Sequence, residues 1–150
     1  MPDVDQNFIK RIQPHNEEAE KSVLGAMLMD RDAIVEAEDM LVKEDLYQKQ
    51  YGILFEAMIE LYREGKAVDL ITLQNKLKEK DVPETLTSLD FFRDLVDSVS
   101  TSTNVREYAQ IVHDKATLRA LIRTTEDIGN DCYLGKEDAA DILEKTEKEI

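Results

Sequence analysis

From Val105 to Cys132 the chain reads VREYAQIVHDKATLRALIRTTEDIGNDC, a helical pattern with no proline, entered through Thr103 or Asn104 as the capping residue. At 1.5 Å per residue such a helix runs about 40 Å, longer than a small globular core usually holds. The stretch YLGKED then supplies a tight turn. A last helix follows with Ala139, Ile142, Leu143, Thr146 and Ile150 on one face. The C-terminal third is therefore expected to be a helical hairpin. Along its long arm Tyr108, Ile111, Val112, Leu118, Leu121, Ile122 and Ile128 cover more than one narrow stripe. Two helices cannot bury apolar positions on all sides, and each large side chain left in water forgoes about 1.5–3 kcal/mol. Self-association or partner docking is the expectation; the alternative is that the hairpin folds back on residues 16–99.

The rest of the chain repeats the helical period. Asn16 reads as an N-cap, Glu17 and Glu18 suit the positive end of a helix dipole, and Ala19, Val23, Ala26 and Met27 share a face. A short helix follows through Ile34, Val35 and Ala37 to Leu41. From Gln48 to Glu64, Tyr51, Leu54, Phe55, Met58, Leu61 and Tyr62 fall on one face, and Gly65 stands where a C′ glycine belongs. Asp69 caps a helix holding Leu70, Ile71, Leu73 and Leu77, which stops near Lys80 because Pro83 follows. Thr87 with Asp90 reads as a capping box for Leu89, Phe92, Leu95, Val96 and Val99. Sustained period-two alternation is absent, so the fold class is all-α. Residues 1–13 read as a flexible tail, with one apolar touch at Phe8 and Ile9. Residues 14–99 form a globular helical subdomain, SVSTSTN is the junction, and 100–150 form the hairpin.

The 33 acidic residues outnumber the 19 basic ones, a net charge of −14. Such a field repels a nucleic-acid backbone unless the bases cluster, and Lys10–Arg11 and Lys76–Lys78 each lie beside acids. Tight DNA binding by this chain alone is not expected; a partner with a basic or apolar surface fits better. No run approaches the roughly 18 apolar residues of a membrane span. A lone cysteine, Cys132, suits a reducing cytoplasm.

Catalytic patterns fail one by one. Glycines 25, 52, 65, 129 and 135 never approach the spacing of a phosphate-binding loop. Gly25, in mid-helix, implies close helix packing, because it otherwise costs about 1 kcal/mol against alanine. His15, His113 and Cys132 are too few and too scattered for zinc. Cys132 and His113 stand roughly 28 Å apart along one helix, so they form no dyad. Glu17, Glu18 and Glu20 read as dipole partners on a solvated face, as do Glu36, Glu38 and Asp39. Phe91 beside Phe92 is different: adjacent residues on a helix cannot enter one core together, so Phe91 should lie at an edge or interface. No catalytic, cofactor or metal residues are expected here.

Three ordered blocks carry a resemblance. PHNEEAEKSVLGAMLMD is similar to the opening signature of DnaB-type replicative DNA helicases, with Pro14, His15, Glu18, Ala19, Glu20, Val23, Leu24 and Gly25 in place. The block from Glu44 to Leu73 resembles the second, through Ile53, Phe55, Leu61, Gly65, Asp69 and Leu73. STNVREYAQIVHDKATLRALI resembles the third, through Asn104, Val105, Tyr108, Ala109, Ile111, Val112, Lys115, Leu118, Arg119 and Ile122. Leu46, Ala67 and Ser100 depart from the family's usual Phe, Pro and Pro, and the last departure bears on the angle between subdomains.

The resemblance implies an N-terminal collar domain, all-α, whose hairpin pairs chains as three dimers in a hexamer and which docks primase. A helicase loader is a further partner it allows. The RecA-like ATPase, with its ATP and Mg and 5′→3′ unwinding, would belong to a C-terminal part outside this sequence. For primase docking the matching positions are Phe91, Ile122 and Ile128. For the dimer interface Ile111, Leu118, Leu121, Leu143 and Ile150 are favoured. Two other readings compete: the helicase-binding domain of a primase, similar in fold, and a stand-alone acidic helical adaptor.

Overall fold

The computed structural model describes residues 12–99 and 104–149, and these form helices and turns with no strand among them. In chain order they are α1 (Glu17–Met29), α2 (Arg31–Met40), α3 (Lys49–Arg63), α4 (Leu70–Lys78), α5 (Leu89–Asp97), α6 (Val105–Leu134) and α7 (Ala139–Glu149). Short 3₁₀ turns at Lys43–Asp45 and Glu84–Thr87 precede α3 and α5. The all-α expectation holds. The chain divides into two compact units, His15–Asp114 and the hairpin from Lys115 onward with the stretch up to Pro14.

Local signals start and stop the helices as the sequence reading expects. Asn16 Oδ1 accepts from the Ala19 amide at 2.9 Å and so opens α1. Replacing it with alanine should cost about 1 kcal/mol, read as a lower urea midpoint at unchanged slope. Asp69 Oδ1 accepts from the Thr72 amide at 2.9 Å while Thr72 Oγ1 accepts from the Asp69 amide at 3.0 Å, a reciprocal cap on α4. After α3, Gly65 takes a φ of 72°, a left-handed turn that favours glycine.

The core of the first unit is built from Val23, Leu24 and Met27 of α1, Ile34 of α2, Leu54, Phe55, Met58 and Leu61 of α3, Leu73 and Leu77 of α4, and Leu95 of α5. Helix α1 runs against α5 closely enough that only glycine fits between them. A Cβ on Gly25 would stand 2.1 Å from the Leu95 carbonyl oxygen. Lys21 Nζ reaches Asp94 Oδ2 at 2.9 Å, and Ser22 Oγ donates to the Ser98 carbonyl at 3.1 Å, so the same helix pair is tied on either side.

Several expectations are corrected. Ser88, not Thr87, caps α5: its Oγ accepts from the Phe91 amide at 3.2 Å, while the Thr87 hydroxyl donates to the Glu84 carbonyl at 2.7 Å. Ile71 lies in the first turn of α4 but faces solvent, and Leu73 and Leu77 carry that helix's burial. Glu20 is not on a solvated face. It is 1% exposed, and its two carboxylate oxygens accept from the Tyr47 amide at 2.9 Å and the Gln48 amide at 3.3 Å. The α2 acids are paired as well as solvated: Glu38 with Arg63, and Glu36 and Asp39 with Arg106 at 3.9 Å each.

The first unit also extends further than Val99. Val105, Ala109 and Val112 are buried in its core, so its limit falls at Asp114, inside α6. Residues 1–11, with Phe8 and Ile9, lie outside the described residues, as do Ser100 to Thr103 and Ile150.

Candidate interaction surface

The hairpin closes through one side of each arm. On α7, Ile142 and Thr146 are half-buried, and no residue of that helix is fully covered. Lys145 Nζ reaches across to Asp131 Oδ2 on α6 at 3.0 Å. That hydrogen bond, with further help from the Asp131, Glu137 and Glu149 charges, holds the Lys145 ammonium above its ordinary range. Arg119 is buried, and its guanidinium donates to the Pro14 carbonyl at 2.8 Å.

Other large apolar side chains of the hairpin remain exposed. Leu118 and Leu121 on α6 are 45% and 44% exposed, and Leu143 on α7 is 64% exposed. At the tip Tyr133 is 94% exposed and Leu134 stands out beside it. These two were absent from the sequence reading, which ended the helix near Cys132 and gave Tyr133 and Leu134 to the turn. The available signal was Gly135, which takes a φ of 65° and places the helix end two residues later.

The other predicted positions separate. Ile111 is exposed, on the stretch of α6 that belongs to the first unit. Ile122 and Ile128 are both half-buried, and six residues on a helix put them about 120° apart around its axis. Ile128 lies one turn before Asp131, on the closing side; Ile122 lies one turn after Arg119. Phe91 is half-buried at the rim of the first unit's core, 6.1 Å from the Tyr51 ring and 6.0 Å from Phe92, which meets it edge-on. The Tyr51 hydroxyl donates to Glu17 Oε1 at 3.1 Å, and burial, then that carboxylate, pushes the phenol far above its usual value.

The first unit also holds an open recess of about 440 Å³, lined by Leu41, Val42, Phe55 and Ile59 under a charged rim. Three of its carboxylates are ion-paired, Glu38 with Arg63, Glu56 with Lys43 at 3.3 Å and Glu60 with Lys76 at 3.4 Å. His15 is stacked on Tyr47 with ring centroids 4.0 Å apart, and His113 faces Asp45 at 3.9 Å. Among the described residues no three of His, Cys, Asp or Glu converge as a metal-ligand set, and no helix is long and apolar enough to cross a membrane.

A family model described as "DnaB-like helicase N terminal domain" matches residues 12–114. The chain belongs to that family. It is 36% identical over 140 residues to "Replicative DNA helicase DnaC" of Bacillus subtilis (strain 168), covering 93% of this chain and 31% of that protein. To "Replicative DNA helicase DnaB" of Geobacillus stearothermophilus it is 36% identical over 143 residues, covering 95% of this chain and 32% of that one. The chain thus spans about a third of the length of these relatives. The crystal structure of the N-terminal domain of DnaB helicase from Mycobacterium tuberculosis superposes with a TM-score of 0.84 at 29% identity, covering 92% of this chain and 98% of that one.

The family's opening signature is accounted for as scaffold. Ala19, Val23 and Leu24 enter the core, Glu20 receives two amides, Gly25 admits α5, and His15 packs on Tyr47.

Proposed function

We propose that this domain is the collar of a replicative DNA helicase: it pairs with a second copy through the hairpin, and three such pairs complete a hexameric ring. The observation that supports this reading is the exposed apolar set on the hairpin: Leu118, Leu121 and Leu143 stay 45%, 44% and 64% exposed within their own chain. An isologous contact through those residues, continued by Ile111 and Ile150, would remove them from water twice over.

On this reading the parent protein carries a C-terminal RecA-like ATPase that binds ATP and Mg and moves 5′→3′ on the strand it encircles. The collar contributes assembly rather than chemistry. Primase docks through Phe91, Ile122 and Ile128, and a helicase loader is a further partner. With a net charge of −14, the domain itself contributes little to holding DNA.

Light scattering on the chain should find dimers or larger rings at micromolar concentration. Leu118→Asp and Leu143→Asp should return it to monomer with helicity unchanged by circular dichroism. A wild-type monomer at high concentration would refute pairing. Ile122→Asp should weaken primase binding by roughly ten- to a hundredfold, the worth of one desolvated apolar anchor. Unchanged primase affinity would move the docking face elsewhere; Ile128→Asp is a weaker test, because Ile128 also faces the closing side.

A further inference from the structure

Arg119 is buried on a part of α6 that α7 does not reach. Lys145 faces Asp131, and α7 ends at Glu149, four residues and about 6 Å further along. Arg119 lies twelve residues, about 18 Å, from Asp131 on α6, yet it is only 9% exposed. Its contact is with the other end of the chain. The guanidinium donates to the Pro14 carbonyl at 2.8 Å, and the stretch up to Pro14 belongs to the same compact unit as the hairpin. Ile122 stands three residues on, about 60° around the helix from Arg119, and is half-buried although it too lies beyond the end of α7.

Residues 1–11 lie outside the described ones and lead into Ile12, which is 53% exposed. They carry Phe8 and Ile9, six and five residues before Pro14, a reach of at most about 20 Å. Ile122 is about 5 Å along the helix axis from the arginine that holds Pro14. A segment tethered this closely meets its site at an effective concentration on the order of millimolar, above that of a second copy in micromolar solution. We infer that residues 1–11 dock back on their own hairpin, with Phe8 and Ile9 against Ile122, and mask that side of α6 until a partner displaces them. The contact lies within one chain and does not depend on hairpin pairing.

The chain holds no tryptophan, so Phe8→Trp adds a single emission reporter. Its emission should be blue-shifted and independent of protein concentration. Adding Ile122→Asp should move it to the red, to the emission of an indole in water, while circular dichroism stays helical. Thiol labelling reads the same contact from the other side. With the exposed Cys132 replaced by serine, Ile122→Cys should label severalfold faster once Phe8→Asp and Ile9→Asp are introduced together. Leu143→Cys, on α7, should label at one rate with or without that pair of changes. Water-like emission from Phe8→Trp alone would overturn the inference, as would equal labelling of Ile122→Cys in both backgrounds. A blue shift that appears only as concentration rises would overturn it too, by making a second copy the occupant.

Discussion

Gly25→Ala should lower stability by about 2–3 kcal/mol, although helix propensity alone favours alanine by about 1 kcal/mol. The two effects have opposite signs, and geometry decides between them. The new Cβ would lie 2.1 Å from the Leu95 carbonyl oxygen and 2.8 Å from its carbonyl carbon. Both are backbone atoms, so no side chain can rotate out of the way. Relief requires α1 and α5 to part. That separation would stretch the Lys21–Asp94 contact of 2.9 Å and the Ser22–Ser98 hydrogen bond of 3.1 Å, and would open a gap beside the fully buried Leu24 and Leu95. For a domain of this size the loss corresponds to a melting temperature lower by roughly 4–10 °C. A variant that melts at or above the wild-type temperature would show that the helix contact is softer than its geometry implies.

The helices were legible because a 3.6-residue period and its punctuation are local. Asn16, Gly65 and Asp69 announce their ends within four residues of the atoms they serve. What escaped depends on distant partners or on a choice between near equals. Thr87 and Ser88 are adjacent hydroxyls with the same capping chemistry, and only the hydrogen bond to Glu84 removes Thr87 from the competition. Ile71 fits the helical face in a one-dimensional count but sits in the first turn of α4, ahead of the core contacts made by Leu73 and Leu77. The limit of the first unit was placed at the polar junction, although Val105, Ala109 and Val112 carry its core onward into α6.

The hairpin surface was legible for a general reason: its arms hold more apolar residues than two helices can hide. Its division into faces was not, because that needs the arms' mutual rotation. Ile142, Thr146 and the Lys145–Asp131 pair fix that rotation and leave Leu143 on the outside. The Phe91–Phe92 doublet could be read without it, since adjacency alone forces one ring to the rim.

Glu20→Ala should cost about 3–4 kcal/mol, more than any helix-surface substitution here, because a buried carboxylate that accepts two amides contributes through both. Helix α3 begins without help of its own: Gln48 makes no side-chain cap and no acid stands in the first turn. Glu20, on α1 and 27 residues before Tyr47, does that work from across the core, accepting from Tyr47 and Gln48. It also places negative charge at the positive end of the α3 dipole. Removing it strands two donors in a region with little water. Glu20→Gln keeps one acceptor oxygen and should lose about half as much. Hydrogen exchange at the Tyr47 and Gln48 amides should quicken in both variants, more so with alanine. The loss should not depend on protein concentration, because the contact lies within one chain, whereas the deficit of Leu118→Asp should grow with concentration if it acts on pairing. A Glu20→Ala protein within about 0.5 kcal/mol of wild type would mean that α3 is held by its core face alone, and would leave the acid in the family's opening signature without a structural reason.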